Sequence, residues 1–198
     1  MAALKHNQAG KIRIIGGTHR RQMIPVIAHQ GLRPSADRVR ETVFNWMNHQ
    51  WGGVFADKAI LDAFTGSGAF GLECISRGAT DVLMVDNHAA AITQIQQILK
   101  NWGVQTNGGA TQADVLALCP ALIAQGKTFD WIVLDPPFER DMLAAIAPYL
   151  NQLTHADSWL YVEVEAKMNL GALAALGWTQ IKEGRTQQVA YGLWRKAT

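Results

Sequence analysis

Two strand-like runs close this chain, WTQIKEG at 178–184 and QQVAYGLWRK at 187–196, and only a few residues lie between them. Parallel neighbours in a sheet need a crossover of a dozen or more residues, so the tight link forces this last pair antiparallel. Upstream the pattern is different. Apolar runs AILDAF (59–64), DVLMVDN (81–87), FDWIVLDPPF (129–138) and SWLYVEVEA (158–166), with a weak strand near 109–113, alternate with helical segments. Near-continuous apolar strands with helical crossovers predict a parallel sheet covered on both faces. The expected fold is therefore α/β: a doubly wound, seven-stranded sheet ending in an antiparallel hairpin.

Helices are expected at 68–78, 89–103, just after Asp114, at 141–152 and at 170–176. Of these, AAAITQIQQILKNWG is the clearest, with Ile92, Ile95 and Leu99 on one face and Gly103 past its end. Ahead of the sheet, KIRIIGGTHRRQMIPVIA alternates and turns like a hairpin. RPSADRVRETVFNWMNHQ follows as a helix with Ser35 as its N-cap. Val39, Val43 and Met47 form its apolar stripe, and Arg38 and Arg40 are expected to point elsewhere. WGG at 51–53 is the junction, so the chain divides into an extension, 1–52, and a main domain, 53–198.

Charge follows the same division. Residues 1–40 carry a net +7 and residues 41–198 a net −5, within a chain of net charge +2. A basic arm on an acidic body suggests a polyanionic partner held at one end. The arm's bases Lys11, Arg13, Arg20, Arg21, Arg33, Arg38 and Arg40 are its candidate contacts. No apolar run reaches the roughly 18 residues of a membrane span, and the start has no apolar leader, so a cytoplasmic protein is expected. Cys74 and Cys119 sit in apolar helical patterns and read as buried free thiols. The six histidines lack ligand spacing, so no metal is expected.

Within DAFTGSGAFG (62–71), Gly66, Gly68 and Gly71 spell G-x-G-x-x-G, and Asp86 stands twenty residues after the first. Taken alone this is the dinucleotide fingerprint. Yet Asp62 ends the strand before the glycines, and a carboxylate about 4 Å from a phosphate costs on the order of 1 to 4 kcal/mol. A ligand bearing an ammonium and a sulfonium, S-adenosylmethionine, reverses that sign. Asp86 ends the second strand, where it can accept from ribose hydroxyls; Asp114 ends the third, where it can reach an adenine amino group. The cofactor set is Asp62, Phe64, Thr65, Gly66, Ser67 and Gly68 on the loop, Asp86 and Asn87 on the second strand end, and Asp114 and Val115 on the third.

The fourth strand ends in DPPF: Asp135, Pro136, Pro137 and Phe138. An exocyclic amine on a nucleobase is a poor nucleophile because its lone pair is delocalised into the ring. Two acceptors holding its N–H groups turn that lone pair toward an electrophile. Asp135 supplies one, the carbonyl of Pro136 the other, and Phe138 can stack on the base for roughly 1 to 3 kcal/mol. A base within a helix or loop has to be extruded to reach such a pocket.

The sheet with its closing hairpin resembles the class I methyltransferase fold. DPPF with the acid-then-glycine loop resembles amino methyltransferases acting on adenine N6 or guanine N2. The whole chain is similar to the bacterial small-subunit ribosomal RNA guanine-N2 methyltransferases of the RsmD type. The shared stretches are RIIGG (13–17), LRPSADRVRETVFNWM (32–47), DAFTGSGAFGLECISRGA (62–79), DPPF, YVE (161–163) and VAYGLW (189–194). The resemblance implies methyl transfer from S-adenosylmethionine to N2 of one guanine in 16S rRNA, on the assembled or assembling small subunit, by a monomer. The chain departs from the family at Arg20-Arg21-Gln22, where Arg-Gly-Arg is usual, and at Gly192, where an arginine is frequent. An adenine-N6 methyltransferase and a non-catalytic RNA-binding assembly factor are the alternatives; the former acts on DNA or RNA, and the latter leaves DPPF idle.

Overall fold

The computed structural model describes residues 8–27, 37–137, 142–168 and 171–196, so Arg33, Ser35 and Phe138 lie outside the described residues. A hairpin of β1 (Gln8–Arg13) and β2 (Met23–Ile27) precedes helix α1 (Asp37–Trp51). Then follow β3 (Ala59–Asp62), α2 (Ala69–Ser76), β4 (Asp81–Asp86), α3 (Ala89–Trp102), β5 (Gly109–Gln112) and α4 (Val115–Ala124). The remainder is β6 (Phe129–Leu134), α5 (Met142–Leu150), β7 (Thr154–Glu165), α6 (Gly171–Ala175), β8 (Trp178–Arg185) and β9 (Val189–Lys196).

Seven strands lie in the order β5-β4-β3-β6-β7-β9-β8. The first five are parallel, and β9 runs antiparallel to both β7 and β8, as the short final link requires. Alternation along the strands sends residues to two cores. Ile60, Val82, Trp131, Val133 and Tyr161 face α1, α2, α3 and the hairpin. Leu61, Val85, Ile132, Leu134 and Leu160 face α4, α5 and α6. Local signals fix the helix ends: His88 caps α3 by accepting from Ala91 N, and Gly103 ends it at φ 65°. Cys74 and Cys119 are free and buried. Among the described residues no helix is long and apolar enough to cross a membrane.

The N-terminal hairpin and α1 share the first core with the sheet. Ile12, Ile14, Ile24 and Val26 from the hairpin, and Val43, Phe44 and Met47 from α1, belong to the same buried cluster as Ile60 and Trp131. Phe44 meets the ring of Trp131 edge-on at 5.6 Å and stacks near Phe70 at 5.8 Å. The hairpin is further joined to α2 by hydrogen bonds. Ile15 N and Gly16 N donate to the Glu73 carboxylate at 2.7 and 2.8 Å, and Thr18 N donates to the Ser76 carbonyl at 2.7 Å. Gly17, at φ 77°, presses so close that a Cβ there would sit 1.7 Å from that carbonyl oxygen.

Arg40 corrects the sequence reading. It shares the inward face of α1 with Val43, Phe44 and Met47, at spacings of three, four and seven, and its side chain is 0% exposed. Its Nη2 donates to the carbonyl of Arg13 at 2.9 Å and to Asp37 at 2.6 Å, and its Nη1 reaches the Ala69 carbonyl at 3.5 Å. The guanidinium thus ties α1 to the end of β1 and the start of α2, and offers nothing to a phosphate. Arg38, on the outer face, is exposed. Arg40→Ala is expected to lower unfolding free energy by about 2 to 4 kcal/mol in urea titrations, and Arg38→Ala to change it by less than about 0.5 kcal/mol.

Candidate active site

Strand order reverses between β3 and β6, because β3 continues outward through β4 and β6 begins the other half. A crevice opens beyond the carboxyl ends of the strands at such a switch point. Asp62 and Asp135 stand on its two sides, with Asp62 in register with Val133, two residues before Asp135.

Asp62 closes β3 and is only 2% exposed. Its Oδ2 accepts from Thr65 Oγ1 at 2.7 Å and from Gly71 N at 2.9 Å, so one carboxylate oxygen braces both the loop and the first turn of α2. Burial pushes its carboxyl up to about 6, opposed by those two hydrogen bonds. Gly66 N donates 2.8 Å to Oδ2 of Asp86, while Oδ1 of Asp86 accepts from His88 N at 2.8 Å. The two strand-end acids therefore hold one loop between them. Gly68, at φ 80°, starts α2 from a left-handed conformation. Gly71 serves packing: a Cβ there would lie 2.4 Å from Met84 Cγ.

The other expected cofactor residues divide. Thr65 and Ser67 are buried in the loop, and Phe64 is half-buried. Asn87 is exposed, and its carbonyl accepts from Gln112 Nε2 at 3.3 Å. Asp114 is exposed and caps α4 by accepting from Leu116 N at 2.8 Å. Val115 lies in the second core, beneath α4. Asp86 thus holds Gly66 and Asp62 holds Thr65 and Gly71 of the same loop and helix start, with Asp114 two residues beyond the neighbouring strand.

After β6 the chain places Asp135 half-buried, Pro136 buried and Pro137 exposed. Beside them lies a pair that the motif reading left without a role. Tyr161 and Glu163 share one face of β7, and the Tyr161 hydroxyl donates to Glu163 at 2.5 Å. Both are buried, and desolvation, followed by the charges of Glu163 and Asp135, drives the Tyr161 phenol well above its usual range. Tyr191 of β9 lies opposite Glu163 and stacks under Trp46 of α1 at 5.7 Å. The available signal was an acid two places after a tyrosine inside the otherwise apolar run WLYVEV (159–164). Among the described residues no group of acids, histidines and cysteines is arranged to hold a metal ion.

Residues 12–195 match a family model described as conserved hypothetical protein 95. The chain is 36% identical over 193 residues to ribosomal RNA small subunit methyltransferase D of Escherichia coli, covering 96% of this chain and 93% of that one. It is 32% identical over 198 residues to the protein of the same name from Haemophilus influenzae, covering 96% of each. Among solved structures it resembles a putative methyltransferase from Escherichia coli, with TM-score 0.77, 34% identity, and coverage of 96% of this chain and 100% of that one. A putative methyltransferase complexed with SAH shares the fold at TM-score 0.66 and 15% identity.

Asp62 has a raised folded-state pKa, so folding favours its protonated form. Its contribution to stability is full below about pH 4 and is lost as pH rises toward about 6. An asparagine keeps the accepting oxygen but cannot ionise. Unfolding free energies of the Asp62→Asn and parent proteins should therefore diverge between pH 4 and 6, the variant gaining by up to about 3 kcal/mol. Parallel curves across that window would refute this assignment.

Proposed function

The chain belongs to the conserved hypothetical protein 95 family, and from that premise we propose that it methylates N2 of one guanine in 16S rRNA. At the coarser level it is an S-adenosylmethionine-dependent methyltransferase of ribosomal RNA. The observation that carries the reading is the position of Asp135 and Pro136, across the switch-point crevice from the glycine loop that Asp62 and Asp86 brace.

The cofactor supplies an electrophilic methyl group on a sulfonium. Around it Asp62, buried and ionising near neutrality, provides negative potential at the end of β3. Asp86 already holds Gly66 and His88, so it presents a fixed carboxylate to ribose hydroxyls. At the acceptor, Asp135 and the Pro136 carbonyl take the two N–H groups of the exocyclic amine and aim its lone pair at the methyl carbon. The bound cofactor would supply its methyl group to that nitrogen, and the Asp135 carboxylate would take the proton the nitrogen loses. Orientation and charge placement supply most of the rate. Phe138 completes the motif as the residue that stacks on the base.

The exposed bases Lys11, Arg13, Arg20, Arg21 and Arg38 grip RNA phosphates in this reading, with Arg33 as a further member of the set. Arg40 is withdrawn from it by its burial.

The decisive experiment offers labelled S-adenosylmethionine with small subunits, naked 16S rRNA and DNA in parallel, then maps the product to a nucleotide and atom. Label on guanine N2 of small subunits is expected; label on adenine N6 or on DNA refutes the guanine reading. Asp135→Ala should lower turnover by about a thousandfold or more while S-adenosylmethionine affinity and the folded circular-dichroism spectrum persist. Turnover within tenfold of the parent would remove Asp135 from the site.

A further inference from the structure

Two acids stand side by side where β6 and β7 meet the crevice. Leu134, the last residue of β6, is in register with Val162 of β7. The next residue on each chain, Asp135 and Glu163, are therefore neighbours across one strand spacing of about 4.8 Å. Alternation settles which way they face. Val133 is in register with Tyr161, and both belong to the core beneath α1 and α2, so Glu163, two residues on, faces the same side as Tyr161. The Tyr161 phenol places both acids on that side: burial is the main cause of its raised pKa, and the charges of Glu163 and Asp135 come next.

Glu163 is fixed from several sides. It is 4% exposed, and its Oε2 accepts from the Tyr161 hydroxyl at 2.5 Å. On the side away from Asp135, β9 sets Tyr191 opposite Glu163, and the Tyr191 ring lies 5.7 Å from that of Trp46 on α1. Gly184 of β8 gives Tyr191 its room, since a Cβ there would come 2.3 Å from Tyr191 Cζ. Tyr161 in turn lies against Phe70 of α2 at 4.9 Å. Together with the Pro136 carbonyl, the wall therefore offers three acceptor groups, and an ionised carboxylate can only accept.

Three acceptors match one nucleobase edge. Guanine carries three N–H bonds side by side, two on N2 and one on N1. Adenine carries two on N6 and a lone pair on N1, which a carboxylate repels. We propose that Glu163 is the residue that selects guanine, its carboxylate accepting the N1–H while Asp135 and the Pro136 carbonyl take the two hydrogens of N2. An extruded base is read along this edge. With guanine, Glu163 gains a charge-assisted hydrogen bond; with a lone pair at N1, the buried carboxylate faces no donor on the base. The inference rests on the guanine-N2 reading and adds the residue that separates it from adenine N6.

The test measures selectivity on small subunits assembled with 16S rRNA that carries either guanine or 2,6-diaminopurine at the mapped position. Diaminopurine keeps the N2 amine and replaces the N1–H by a lone pair. The parent protein should methylate N2 of guanine with a kcat/KM about a thousandfold higher than N2 of diaminopurine. In Glu163→Gln the amide can turn either its oxygen or its N–H toward N1. This variant should slow guanine by about a hundredfold and narrow the preference to about tenfold, with S-adenosylmethionine affinity and the circular-dichroism spectrum unchanged. A parent that methylates both bases within tenfold of each other overturns the proposal without any variant. So does a variant that slows both bases equally, which is what a purely structural role of the Tyr161–Glu163 pair produces. Guanine itself separates the two readings. No label on guanine N2 overturns the proposed activity and this inference with it; label on guanine N2 without the preference overturns the Glu163 assignment alone.

Discussion

The buried carboxylate of Glu73 joins three parts of the molecule that sequence order keeps apart. It accepts from Ile15 N and Gly16 N at the hairpin and from Arg77 Nε at 2.8 Å, the residue that caps the end of its own helix. Arg77 in turn lies over the Phe44 ring at 4.8 Å and donates to Asn48 Oδ1 at 3.2 Å, both on α1. An ionised group without exposure to solvent needs all of these partners. Detaching the hairpin would leave a buried charge under-bonded, an expense on the order of 3 to 5 kcal/mol. The basic arm is therefore fixed relative to α2, the helix that the glycine loop begins, and hence relative to the crevice. In the proposed reading, a polyanion gripped by the arm meets the site in one orientation.

The acids at the strand ends have a structural task that precedes any ligand. Asp62 and Asp86 spend carboxylate oxygens on Thr65, Gly71, Gly66 and His88. The loop is thereby set in place before a cofactor arrives, which lowers the ordering entropy that binding has to overcome. The same bonds keep negative charge aimed at the crevice. For Asp62 burial outweighs them, leaving a carboxyl that ionises near 6. A cationic ligand beside it stabilises the ionised form, so bracing the loop and attracting the ligand reinforce one another.

The order of strands and helices was legible because each apolar run has turn or capping residues at its ends, and because a link of a few residues admits only an antiparallel closing pair. The Asp62 strand end was legible for a similar reason: four residues separate it from Gly66, and the structure ends β3 there. Arg40 was misread because basic residues invite an outward assignment, although its spacing from Val43, Phe44 and Met47 puts it on the apolar stripe. Glu73 carried a comparable signal, an acid in a helix whose eight residues are all buried. Its partners at 15 and 16 are nearly sixty residues away, beyond the reach of any local pattern. Asp114 carried a local signal as well: its carboxylate caps the helix that follows, while the adenine contact proposed for it was read from position alone.

The glycine fingerprint itself has a physical reading that is neutral between cofactors. Gly66 and Gly68 take positive φ to turn the chain off the strand, and Gly71 lets α2 settle against Met84 of β4. All three requirements come from bringing a helix down close behind a strand, whatever ligand the loop cradles. A phosphate-binding loop and a sulfonium-binding loop can therefore share the same three letters at the same spacing. What separates them is the sign of the charge that the strand end contributes. Here that charge is negative, buried, and bonded to the third glycine of the motif, so the residue that opens the loop also sets its shape.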